Sequence, residues 1–96
     1  MSIKEMIDAR REDILRIAAE HGARDIRLFG SVARGEAGPE SDVDFLVRLQ
    51  PGTTLLRHAA LVRELTNLLG REVQVVSERA LRPRVRDRVM REAIPI

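Results

Sequence analysis

Residues Phe29 to Val47 read FGSVARGEAGPESDVDFLV, and the organisation of this stretch decides the fold class. The run Asp25-Ile26-Arg27-Leu28-Phe29 alternates polar and apolar side chains and predicts a strand, which Gly30-Ser31 breaks. Ser31 to Arg34 predicts a short helical turn, and a loop through Gly35, Gly38 and Pro39 leads to a second strand over Asp42 to Leu49. At the first turn, Gly30 lets backbone approach a ligand closely, a helix start offers unpaired N–H groups, and the Ser31 hydroxyl adds a donor. That combination suits a phosphate. A tight strand-to-helix turn with Ser31 as N-cap accounts for the same residues without a ligand.

Asp42-Val43-Asp44 carries the second signal. The two-residue period of a strand sends both carboxylates to one face and Val43, Phe45 and Val47 to the other. The two aspartate Cα atoms then lie about 6.5–7 Å apart, so the carboxylates can converge on a divalent ion. Like charges on one sheet face repel unless a cation joins them or water solvates them. A solvent-facing strand remains the alternative, because alternation of polar and apolar residues is ordinary there. Taken together, a phosphate-holding turn and a metal-holding pair on the next strand are the parts that nucleotidyl transfer requires. One metal would grip a triphosphate and a second would lower the pKa of the attacking hydroxyl.

Working outward, Ser2 to Glu20 predicts one long helix. Ser2 and Glu5 have capping-box spacing, and Ile3, Met6, Ile7, Ile14, Ile17 and Ala18 share a face. His21-Gly22 ends it, with His21 placed as a favourable charge at a helix C-terminus. After a Pro51-Gly52 turn, Thr53 or Thr54 caps a second long helix. Its expected buried side is Leu55, Ala59, Val62, Leu65 and Leu69, with His58 on its face and Gly70 at its end. Val73 to Val76 reads as a third strand, and Ser77 opens a final helical stretch reset by Pro83, with Val85, Val89 and Ala93 inward. The expected architecture is α/β: a single domain over 1–96 with a small sheet covered by helices.

Composition narrows the function. The 96 residues are 44% hydrophobic and 33% charged, too apolar for a disordered tail. No apolar run is long enough to span a bilayer, and no signal-peptide core is seen. Without cysteine, disulfides and thiolate chemistry are excluded, and a cytoplasmic location fits. A net charge of +2 is no polyanion-binding excess, and Phe29 and Phe45 are the only aromatics, so base-stacking platforms lack material and direct nucleic-acid binding is disfavoured. Arg79, Arg82, Arg84, Arg86, Arg88 and Arg91 crowd the C-terminal stretch, either as a solvated face or as a surface for an acidic partner or RNA.

The pattern G-S-x-A-R-G followed by S-D-x-D resembles the signature of the minimal nucleotidyltransferase family, within the DNA-polymerase-β-like nucleotidyltransferase superfamily. It is carried by Gly30, Ser31, Ala33, Arg34, Gly35, Ser41, Asp42 and Asp44. The resemblance covers most of the chain and includes the ending carried by Leu81, Pro83, Glu92 and Ala93. It implies a mixed-sheet nucleotidyltransferase (polymerase-β-like) fold, with Asp42 and Asp44 as catalytic ligands of Mg²⁺. It also implies Gly30 and Ser31 on the phosphates of ATP, with Arg34 and Ser41 beside them. Arg34 is alternatively a structural ion-pair partner of Glu36 or Glu40.

Proteins similar to this one are commonly antitoxins of HEPN-domain ribonuclease toxins, and some transfer AMP from ATP to a toxin hydroxyl (AMPylation). The family places a third carboxylate on the later strand, where this chain has Gln74, which carries no charge and cannot serve as a base. Gln74 or Glu72, two residues earlier, is the candidate third ligand. The alternative is a binding module that neutralises the toxin by complex formation alone. The small size implies association, with a partner or with itself.

Overall fold

Ser2 and Glu5 satisfy each other as their spacing predicts: the Ser2 hydroxyl accepts the Glu5 N–H at 3.1 Å, and the Glu5 carboxylate accepts the Ser2 N–H at 3.1 Å. In the computed structural model, which describes residues 2–96, this cap opens α1 (Ile3–Ala9). The expected single helix is in fact two. Arg10 leaves the helical backbone at φ −105 and ψ 13, and α2 (Arg11–Glu20) follows. No proline or glycine marks the break. An unbroken helix over residues 3–20 would run straight for about 27 Å. The bend lets α2 pack on the sheet while α1 turns towards the short helix after the first strand, and both Ile7 and Ile14 become fully buried.

The sheet comprises β1 (Ala23–Phe29), β2 (Val43–Leu49), β3 (Val73–Ser77) and a two-residue β4 (Ile94–Pro95), in the order β3-β2-β1-β4. β1 runs antiparallel to β2 and β4, while β2 and β3 are parallel. The crossover between the parallel pair is α4 (Leu55–Leu69), as parallel neighbours demand. β4 was not expected, since Ile94-Pro95 is too short to show a period. It is a strand only because Leu28 and Arg27 of β1 offer a free edge to pair with.

Val43, Phe45 and Val47 lie on the helix-covered face and are buried with Leu61, Leu65 and Val75 in the main apolar cluster. The helical face of α4 differs from expectation. Thr54 is the cap, its hydroxyl accepting the Arg57 N–H at 3.1 Å, but the inward ridge is Leu61, Leu65 and Leu69. Leu55 is 85% exposed, and Ala59 is exposed too. His58 accounts for the rotation: its Nε2–H donates to the Val75 carbonyl at 2.8 Å, fixing which side of the helix faces β3. His21 bonds the Ile17 carbonyl through Nδ1 at 2.7 Å and faces Glu64 at 3.3 Å.

Beyond β3, the Ser77 hydroxyl caps a single 3₁₀ turn (Glu78–Ala80), and a new helix, α5 (Pro83–Glu92), begins with proline in its first turn. No helix among the described residues is long and apolar enough to cross a membrane.

Candidate active site

The register between β1 and β2 builds the site. Phe29, the last residue of β1, pairs with Asp44, so the Gly30-Ser31 turn leaves the sheet directly beside the Asp44 carboxylate. On the other side Asp44 pairs with Gln74 of β3. Gly30 adopts φ 74, a left-handed conformation that glycine enters cheaply. It must also lack a side chain: a Cβ here would run into Asp44 Oδ2. The turn and the carboxylate therefore share one space, which neither motif by itself discloses.

Gly30 opens a one-turn helix, α3 (Gly30–Ala33), with Phe29 at its N-cap and no side chain capping it. The reading of Ser31 as N-cap thus does not hold. Ser31 is half-buried in the first turn, and its carbonyl accepts the Glu36 N–H at 2.9 Å, which folds the following loop back. The first-turn N–H groups remain without side-chain acceptors.

Asp42 lies just before β2 rather than in it, and both aspartates are half-buried. Burial raises the Asp44 carboxyl above the ordinary aspartate range; the Asp42 charge pushes the same way, and the Arg34 guanidinium pulls it partly back. The two half-buried carboxylates form an oxygen donor set suited to a hard divalent cation such as Mg²⁺. Asp44 Oδ2 occupies the space a side chain at Gly30 would fill, and both carboxylates stay partly exposed, so the residues present fit the ion. Gln74 Nε2 donates to Asp42 Oδ2 at 3.3 Å, so the amide sits against the pair where a third carboxylate would add repulsion. Among the described residues no three His, Cys, Asp or Glu side chains are gathered to hold a metal, so Asp42, Asp44 and Glu72 do not form a triad. Glu72 is exposed and meets β2 through its carbonyl, which accepts the Val43 N–H at 3.0 Å.

Arg34 is engaged twice, by Glu36 at 3.2 Å and by Glu92 of α5 at 3.3 Å; Glu40 takes no part. The Ser41 hydroxyl accepts the Gly38 N–H at 2.8 Å and so closes the loop before Asp42. Sequence reading overlooked Arg71. Its Nη2 reaches the carbonyls of Pro39 at 2.5 Å, Ser41 at 3.1 Å and Gly38 at 3.4 Å, fastening the loop that carries Asp42. Nothing in the residue spacing announces a guanidinium reaching 30 residues back. Glu92, noted before only as part of the C-terminal pattern, ties α5 to the motif through Arg34.

The family model of the nucleotidyltransferase domain matches residues 11–96. The chain belongs to this family. A nucleotidyltransferase relative from Methanocaldococcus jannaschii, named provisionally as a protein adenylyltransferase, is 36% identical over 90 residues, covering 94% of this chain and 97% of its own. The protein adenylyltransferase MntA of Thermococcus cleftensis is 40% identical over 73 residues, 76% of this chain and 74% of that protein. Among solved structures, one provisionally named minimal nucleotidyltransferase superposes with a TM-score of 0.89 at 54% identity, covering 100% of this chain and 97% of that one. The MNT antitoxin complex with the tri-AMPylated HEPN toxin of Shewanella oneidensis matches with a TM-score of 0.70 over 92% of this chain and 69% of that chain. At 18% identity it shares the fold. The expected mixed-sheet nucleotidyltransferase fold is therefore the observed one.

Proposed function

We propose that this chain is an antitoxin of the minimal nucleotidyltransferase type that neutralises a HEPN ribonuclease toxin by transferring AMP from ATP to a toxin hydroxyl. The observation that carries this reading is the interlock of Gly30 with Asp44: a turn suited to phosphate abuts one of two carboxylates suited to a divalent cation. Relatives named protein adenylyltransferases, and a neighbour of the same fold solved with an AMPylated HEPN toxin, support the choice of acceptor. The absence of cysteine fits action in a reducing cytoplasm.

In this reading Gly30 and the α3 N–H groups receive the triphosphate, with Ser31 adding a hydroxyl donor and Arg34 balancing charge. Ser41 keeps the loop closed behind the nucleotide, and Asp42 and Asp44 hold Mg²⁺. When bound, the ion would offset triphosphate charge and favour deprotonation of the acceptor hydroxyl. The acceptor oxygen forms a bond to the α-phosphorus, the bond from that phosphorus to the α,β-bridging oxygen breaks, pyrophosphate leaves, and the hydroxyl proton passes to solvent. No aspartate stands at position 74 to take that proton, and such a base contributes about 10²–10⁴ in rate where it is used.

That same glutamine favours a second reading, neutralisation by complex formation alone. Incubation with ATP, Mg²⁺ and the partner toxin, followed by intact mass measurement, separates the two. Adenylyl additions to the toxin that vanish in Asp42→Asn and Asp44→Asn support transfer. A stable, unmodified complex with full neutralisation overturns it. Gln74→Asp is expected to raise the transfer rate at least tenfold.

A further inference from the structure

Asp25 has φ 54, the one left-handed backbone outside glycine among the described residues, and it lies in a bulge of β1. Strained residues and bulges persist where they re-aim a side chain to some purpose. Here the re-aimed residue is identifiable. Arg24 and Arg27 are three residues apart and would face opposite sides of a regular strand. Across the bulge they pair with Arg48 and Leu46, two residues apart on β2, and so emerge on one face. The result is Arg24 directly opposite Arg48, a like-charge cross-strand pair that is destabilising unless something stands between the charges.

Arg24, Arg48, Arg79 and Arg86 line one pocket of about 300 Å³, with Glu78 the only carboxylate in its wall. Glu78 is 6% exposed and already committed, to Arg48 at 2.6 Å and to Arg27 at 3.2 Å. Asp25 adds a 3.4 Å contact to Arg48. Arg86 donates to the Glu78 carbonyl at 3.2 Å, and Arg24, Arg79 and Arg86 have no carboxylate partner among the described residues. With only +2 on the whole chain, this is a local concentration of positive charge rather than a general one. Arg48 lies four residues along β2 from Asp44, about 13 Å by strand rise, so the pocket is separate from the acidic pair.

We propose that this arginine pocket is a second ligand site that takes a phosphate group. A phosphate monoester carries about −1.5 to −2 and three acceptor oxygens, enough to sit between several guanidiniums, whereas a carboxylate supplies a single charge. Guanidinium forks pair with phosphate oxygens two at a time, and the pocket volume is at the small end for ligand sites. Two sources supply such a monoester, a small phosphorylated molecule or the terminal phosphate of an RNA.

The test is a titration of the full chain with inorganic phosphate, without Mg²⁺, following the arginine Nε–H resonances. Saturable shifts of Arg24, Arg48 and Arg79 are expected, with affinity at least tenfold weaker in the Arg24→Gln/Arg79→Gln variant and unchanged in Arg16→Gln. Both substituted arginines are exposed, and unaltered circular dichroism confirms that the variant is folded. Repeating the titration with AMP and with a short 5′-phosphorylated RNA assigns the source. Shifts confined to the Gly30–Asp44 region, non-saturable shifts, or binding of an acidic peptide but not of phosphate would each overturn the proposal. None of these readouts involves adenylyl transfer, so the proposal stands or falls separately from the function above.

Discussion

Replacing Gly30 by alanine imposes two separable penalties, and the geometry assigns a size to each. The first is conformational: φ 74 is left-handed, where a Cβ costs about 1–2 kcal/mol. The second is steric, because the new methyl meets Asp44 Oδ2 and one of them must move; overpacking of this kind costs about 1–3 kcal/mol. Alanine also narrows the unfolded ensemble, which returns about 0.5 kcal/mol. The expected loss is about 2–4 kcal/mol, a large part of the stability of a domain this size. Only the second penalty depends on Asp44. The Asp44 Cβ would lie 3.5 Å from the new methyl, an ordinary contact, so alanine fits at position 30 once the carboxylate is gone. In an Asp44→Ala background the cost of Gly30→Ala should therefore fall to about 1 kcal/mol, leaving a coupling energy of about 1–3 kcal/mol. Urea unfolding of the four proteins of this cycle at pH 7, without divalent cations, measures it directly. An equal cost in both backgrounds would refute the interlock of turn and carboxylate, and with it the geometric basis of the site.

Asp44→Asn should raise the urea midpoint at pH 7. Burial first, and then the Asp42 charge, place the folded carboxyl above its unfolded value, so ionised Asp44 destabilises the fold at higher pH. The gap between variant and wild type should close as the pH falls through that raised value, and millimolar Mg²⁺ should reverse the order; a pH-independent gap would contradict the assignment. Glu78→Ala should cost about 3 kcal/mol, because it leaves Arg27 with an unpaired buried charge. Burial alone would raise the Glu78 carboxyl, but the hydrogen bond from Arg48 and the Arg27 charge at 3.2 Å outweigh it and hold the group below the usual range. Its contribution is thus complete above the unfolded glutamate value and is lost as pH falls through the folded one, which a pH series of unfolding midpoints will show. Arg71→Gln should free the loop before Asp42, costing about 1.5–3 kcal/mol for the charged hydrogen bonds. Faster amide exchange at Gly38, Glu40 and Ser41 and weaker Mg²⁺ uptake are the expected signs; unchanged exchange would deny Arg71 its fastening role.

Local patterns were enough to locate the strand-turn-strand of residues 25–49 and the Ser2–Glu5 box, and to narrow the α4 cap to Thr53 or Thr54, because each depends on neighbours within four residues. A resemblance in the Gly30–Asp44 motif added the fold, and the family match over residues 11–96 agrees with it. What lay beyond reach was set by pairing across the chain. The bend at Arg10 follows from burying Ile7 and Ile14 against different neighbours, and the rotation of α4 follows from the reach of His58 to Val75. The two-residue β4 exists only as a partner of β1. The site divides in the same way. Side-chain periodicity predicted both carboxylates on one strand face, whereas Asp42 lies in the loop just before β2. That Gly30 must be bare because Asp44 occupies its side-chain space, that Arg71 holds the loop, and that a bulge turns Arg24 onto Arg48 were all decided by register, which no residue carries in its own local propensity.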